Sequence, residues 1–81
     1  MELNVFGGLT CEDTALVRDR LRALEIAYTN HNREDDARID EMLRARHNGS
    51  IVTPTLVFGD GDIVIAEPTL EQLEATLLAA G

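Results

Sequence analysis

Apolar residues gather in short clusters along this chain, and the spacing within each cluster separates strand from helix. Leu3-Asn4-Val5-Phe6 reads as a short strand. Beyond the turn Gly7-Gly8-Leu9-Thr10, the residues Leu16, Val17, Leu21 and Leu24 recur near helical spacing and predict a helix over residues 12–24. Residues 25–29 predict a second strand. Asn30 or Asn32 can cap a second helix running to Arg46, with Glu34, Asp35 and Asp36 in its first turn and Arg44 and Arg46 at its far end, each sign matching the helix dipole. Ile39, Met42 and Leu43 give this helix only a narrow apolar stripe, so its outer face is expected to be solvated.

The pattern changes after His47-Asn48-Gly49-Ser50. Thr55-Leu56-Val57-Phe58, the turn Gly59-Asp60-Gly61-Asp62 and Ile63-Val64-Ile65 form the strongest hairpin signal in the chain. Thr69 and Gln72 then have capping-box spacing, Pro68 sits just outside, and Leu70, Leu73, Leu77 and Leu78 mark a last helix. The predicted order is β-α-β-α-β-β-α. A right-handed first β-α-β unit makes its strands parallel, and the hairpin extends the same sheet, giving an α/β fold with a four-stranded mixed sheet and helices on both faces.

Composition narrows the class. The 81 residues suit a single domain, 1–81, with one core. Fifteen acidic residues stand against seven arginines, with no lysine, for a formal charge of −8, so nucleic acid and anionic membrane are not expected partners. A single cysteine forbids an internal disulfide, and neither an export signal nor a membrane-spanning apolar run is apparent, so a cytoplasmic, monomeric protein is expected.

That cysteine, Cys11, stands where the first strand gives way to the first helix. A free cysteine is commonly a core residue, and on its own Cys11 fits that role. The β-α setting changes this, because the end of a parallel strand and the start of its helix favour an anion, and a thiolate is one. Thr10 and Thr14 can supply hydroxyls, while Gly7 and Gly8 would let a small thiol or another chain approach the backbone. Pro54 opens the third strand, where proline is tolerated.

Together the turn into Cys11, the segment Val52-Thr53-Pro54-Thr55 and the run Ala66-Glu67-Pro68-Thr69 resemble the glutaredoxin branch of the thioredoxin-fold family over essentially the whole chain, and small mycoredoxin-like members above all. The resemblance implies a thioredoxin fold, a cis Thr53–Pro54 bond facing Cys11, backbone of Thr53 pairing with a bound thiol, and Thr69 and Leu70 holding the far end of that thiol. It implies thiol-disulfide exchange in redox homeostasis, with no bound cofactor, glutathione or mycothiol as co-substrate, and protein mixed disulfides as partners.

Two departures shape the expectation. Cys11-Glu12-Asp13-Thr14 has no second cysteine, so only a monothiol cycle is open, with Thr14 in position to hydrogen-bond the sulfur. Glu12 and Asp13 follow at once, and their negative charges are expected to hold the Cys11 pKa near that of a free thiol. His31 fits a surface or loop residue and His47 a helix end. Arg33 or Arg38 could meet a substrate carboxylate, although each also fits a solvated arginine. No histidine spacing with Cys11 supports a metal site. Besides the oxidoreductase, two other functions accommodate these residues: a catalytically weak thioredoxin-fold binding or regulatory module, and a dimer sharing an iron-sulfur cluster.

Overall fold

The computed structural model of the protein describes residues 2–8, 11–59, 61 and 63–80. Its elements run β1 (Leu3–Gly7), α1 (Glu12–Ala23), β2 (Thr29–Asn32), α2 (Ala37–Arg46), β3 (Thr55–Phe58), β4 (Ile63–Ala66) and α3 (Leu70–Ala80), in the predicted order. The strands form one sheet, β2-β1-β3-β4, in which β1 and β2 are parallel and β3 is antiparallel to both β1 and β4. The turn of the hairpin matches its sequence signal at Gly59 and Gly61, both with positive φ, while Asp60 and Asp62 lie outside the described residues.

Strand alternation divides the chain into two layers. Leu3 and Val5 of β1, with Leu56 and Phe58 of β3, point to the face covered by Val17 and Leu21 of α1 and by Leu73 and Leu77 of α3, and these eight residues form one continuous buried core. Phe6 and His31 point to the other face, where they share a groove with Ile39 and Met42 of α2. There α2 buries Ile39 and Leu43 and leaves most of its surface in water, as its narrow stripe requires. The ends of the leucine stripes spill out: Leu16, Leu24 and Leu78 are exposed.

Two boundaries differ from the sequence reading. The second strand is residues 29–32, not 25–29, because α1 ends in a Schellman motif that consumes residues 24–26. Glu25 takes a left-handed φ of 57°, its N–H bonds Arg22 O, and the Ile26 N–H reaches back to Leu21 O at 2.9 Å. Ile26 and Tyr28 pack against the core from the connection rather than from a strand. The strand itself, Thr-Asn-His-Asn, is polar and is held by its ladder to β1. Consequently α2 starts later, at Ala37, and its cap is Asp36, which accepts the Arg38 N–H at 3.0 Å; neither asparagine serves. Asn32 instead accepts from Arg18 and from Asn30.

The capping box at α3 forms as its spacing predicts. Gln72 N–H donates to Thr69 Oγ1 at 3.1 Å and Thr69 N–H donates to Gln72 Oε1 at 2.9 Å. Thr69→Ala should therefore lower stability by about 1 kcal/mol, read as a shift of the urea midpoint at unchanged m-value.

Candidate functional site

β1 delivers the chain to the upper end of the sheet, and Cys11 stands there as the N-cap of α1, half-buried. Its backbone is extended, its carbonyl accepts the Ala15 N–H at 3.1 Å, and its side chain makes no capping bond. The sulfur is therefore left at the amide-rich end of the helix, facing the segment that opens β3.

That segment presents Thr53 to the sulfur. Thr53 Oγ1 donates to Cys11 Sγ at 3.5 Å, and the thiol points at Thr53 O across 3.9 Å. The Thr53–Pro54 bond is cis, and Pro54 is fully buried. The other side of the sulfur belongs to Thr14, one turn into α1 and wholly inaccessible to solvent. Thr14 Oγ1 is buried with no hydrogen-bond partner. A neutral thiol is a poor acceptor and a thiolate a good one, so this hydroxyl gains its partner when the proton leaves.

The balance on the thiol follows. Burial, the largest single influence, pushes the Cys11 pKa up, but the polar groups gathered at the sulfur, the Thr14 and Thr53 hydroxyls and the backbone N–H groups of Thr14 and Asp13, favour the thiolate and outweigh it, and the net displacement is downward. The sequence leads one to expect a thiol nearer to a free one than to a strongly activated one, with Asp13 counted only as a negative charge; the displacement is downward, and Asp13 contributes to it. Its N–H lowers the pKa, which its carboxylate charge was expected to raise.

The glycines also act differently from the sequence reading. A Cβ on Gly7 would overlap the Thr14 side chain, so the space over Gly7 is filled by the hydroxyl-bearing residue of the site itself rather than kept for an incoming thiol. Gly8 is less constrained: a Cβ there would meet Cys11 Cβ at 3.8 Å and Glu34 Oε2 at 3.4 Å. Thr10 lies outside the described residues.

Behind Thr53 is a hydrogen-bonded clamp that sequence reasoning did not find. Thr55, fully buried, donates from Oγ1 to Val52 O at 2.7 Å, closing a loop around Thr53 and Pro54. Its hydroxyl proton being so engaged, the oxygen accepts from His47 Nε2 at 3.2 Å, which fixes the proton of that ring on Nε2. His47 is the C-cap of α2, as expected, and also ties that helix to the site. Only the pairing of Thr55 with the preceding proline segment hinted at it. Thr55→Val leaves the His47 and Val52 groups without this partner and should cost about 1–2 kcal/mol in chemical denaturation, with Cys11 alkylation slowed in the folded protein.

On the far side, Pro54 O accepts the Glu67 N–H at 2.8 Å and so joins the proline to the start of α3. A cleft of ≈ 290 Å³ lies between this corner and α1, lined by Asp13 and Leu16 on one wall and by Glu67, Pro68, Thr69 and Leu70 on the other. Thr53, Pro54 and Thr14 are thus gathered around Cys11, whereas Thr69 and Leu70 stand across the cleft. Thr69 spends its N–H and one lone pair on capping, which leaves its hydroxyl proton to offer.

The remaining polar candidates have partners elsewhere. Arg33 grips Asp40 through two bonds, of 2.8 and 3.3 Å, and Arg38 grips Asp36. His31 stacks on Phe6, with ring centroids 4.5 Å apart, and bonds Asn4 Oδ1 at 2.9 Å on the opposite face of the sheet. Among the described residues no group of three or more His, Cys, Asp or Glu is placed to hold a metal ion, and no helix is long and apolar enough to cross a membrane.

The architecture and sequence are similar to those of the thioredoxin-like protein BC3987. Its crystal structure superposes with a TM-score of 0.75 at 27% identity, covering 91% of this chain and 97% of that one. A point mutant of the same protein gives 0.77 at 28% identity, covering 94% of this chain and 99% of that one. No protein-family profile and no curated protein matches the chain. The chain has a thioredoxin-like fold, with Cys11 at the start of its first helix and the cis Thr53–Pro54 bond beside it.

Proposed function

We propose that the protein is a thiol-disulfide oxidoreductase of glutaredoxin type, working through Cys11 alone with a low-molecular-weight thiol. The observation that carries this reading is the environment of the sulfur: a half-buried thiol at a helix start, flanked by the Thr53 hydroxyl and by a buried Thr14 hydroxyl that has no other partner. The helix start and the two hydroxyls favour the thiolate over the thiol against the cost of burial, and the thiolate is the attacking species.

The cycle has two exchanges. Cys11 thiolate attacks one sulfur of a mixed disulfide, a bond forms between Cys11 and that sulfur, and the other thiol departs with the electron pair and takes a proton from solvent. A second small thiol, as thiolate, then attacks the adduct. The two small thiols leave joined as a disulfide, and Cys11 returns to the thiolate; the two electrons delivered to the substrate come from the small-thiol pool. Glutathione and mycothiol are both thiols of this kind. Thr14 and Thr53 stabilise the charge at the beginning and end of the cycle, and the cleft lined by Thr69 and Leu70 receives the retained thiol.

The test is a mixed-disulfide reduction assay, with intact-protein mass spectrometry of the stalled adduct. The intact protein should show one adduct on Cys11 that a small thiol removes, with turnover that Cys11→Ser abolishes. Turnover that persists in Cys11→Ser, or an intact protein with none, overturns the proposal. An adduct that forms but is never released would instead fit a binding module.

A further inference from the structure

Residues 47–54 carry the chain from the end of α2 to the start of β3 outside any helix or strand, and Thr53, whose hydroxyl reaches the Cys11 sulfur at 3.5 Å, stands near the end of this segment. A hydroxyl on irregular backbone is aimed only as well as the groups behind it hold that backbone. Here the hold is a chain of two hydrogen bonds, His47 Nε2 to Thr55 Oγ1 at 3.2 Å and Thr55 Oγ1 to Val52 O at 2.7 Å, which closes over Thr53 and Pro54. Both anchors are firm. His47 caps α2, with its backbone N–H bonded to Leu43 O at 3.0 Å, and Thr55 is fully buried and paired with Phe6 of β1. Accepting the His47 N–H polarises the Thr55 hydroxyl and strengthens its bond to Val52 O. The ring makes this donation whether neutral or protonated, because Nε2 carries a hydrogen in both forms.

We propose that His47 is a positioning residue for the chemistry at Cys11: acting through Thr55 and Val52, it holds the Thr53 hydroxyl on the sulfur. This role deepens the exchange reading above and rests on it for the step from thiolate to turnover. His47 neither gives nor takes a proton in either exchange. Without its N–H, Thr55 Oγ1 still donates to Val52 O but is left with a buried, unmatched lone pair, and the segment loses its tie to α2. The Thr53 hydroxyl then spends part of its time away from the sulfur, and the thiolate loses part of its stabilisation.

The experiment follows the pH profile of Cys11 alkylation by iodoacetamide in the folded full chain, with urea unfolding of each variant alongside. His47→Leu, which removes the donor, should move the profile centre upward, with a roughly threefold smaller thiolate fraction at neutral pH. His47→Gln, whose amide N–H extends to a similar reach, should return the profile to that of the parent. Asp36→Ala removes the cap at the other end of α2 and should lower the urea midpoint while leaving the profile in place. Once Thr53→Val has removed the hydroxyl, adding His47→Leu should move the profile no further. If His47→Leu does not fold, His47→Asn, whose amide is too short to reach Thr55, takes its place with the same expectation. A profile that the donor-free variant leaves in place, an equal displacement in His47→Gln or in Asp36→Ala, or additive displacements with Thr53→Val would overturn the assignment while leaving thiol exchange standing. An intact protein without mixed-disulfide turnover would overturn the exchange reading, while the alkylation profiles still decide whether His47 positions Thr53.

Discussion

Gly7→Val should destabilise the protein by about 3 kcal/mol, the upper part of the range for overfilling a packed site. Gly7 closes β1, is buried, pairs with Asn32 in the parallel ladder and accepts the Arg33 N–H at 3.0 Å. Its backbone is thus held by two neighbours, while the place of its missing side chain is taken by Thr14. Neither side can yield without moving the sheet or the first turn of α1. In a domain of this size such a loss lowers the melting temperature by roughly 12–24 °C, measurable by far-ultraviolet circular dichroism. The collision makes a further demand: Gly7→Val combined with Thr14→Ala should recover part of the loss, because the smaller side chain vacates the contested space. Simple addition of the two single effects would show that the contact is not the cause.

Thr14→Val is expected to act in opposite directions on stability and on reactivity. The substitution keeps the shape and the branched Cβ but removes a hydroxyl that is buried without a hydrogen-bond partner. Relief of that desolvation should raise stability by about 1 kcal/mol. Meanwhile the thiolate loses the strongest of its hydrogen bonds, and the Cys11 pKa rises. The thiolate fraction at neutral pH then falls roughly tenfold, but a more basic thiolate is more nucleophilic, so the observed exchange rate should fall only about threefold. Well above both pKa values the compensation is exposed, and the variant should be about threefold faster than the parent. Crossing pH-rate profiles are a signature that a purely structural role for Thr14 does not produce. A variant that is less stable, or slower at every pH, would contradict the assignment.

The chain states its architecture openly. Alternation in β1, the helically spaced leucines, the glycine-rich hairpin turn and the Thr69–Gln72 box each follow from local geometry, and each appears in place. The errors fall where tertiary context overrides local preference. Glu25 carries no sequence mark of a left-handed residue, since glycine usually fills that position, so the apolar pattern does not reveal the Schellman turn and suggests a second strand starting four residues early. β2 lacks the apolar residues that announce a strand because its stability comes from pairing with β1.

At the site, the sequence pointed to Cys11, Thr14, Thr53 and Pro54, and these residues do stand together. Their distances in sequence gave no access to the mutual exclusion of Gly7 and Thr14, or to the His47–Thr55–Val52 clamp, because both are contacts between elements. Asp13 shows the same gap. Its charge is visible in the sequence, while the orientation of its N–H toward the sulfur exists only in the fold.

The central claim is that the folded chain stabilises the Cys11 thiolate. The rate of Cys11 alkylation by a small neutral reagent, followed from about pH 5 to pH 10 in the native protein and again in urea, tests it most directly. In the native protein the rise should centre below that of the unfolded chain, because hydrogen bonds from Thr14 and Thr53 and from the helix-start amides exceed the cost of burial. A native profile centred at or above the unfolded one would contradict the account.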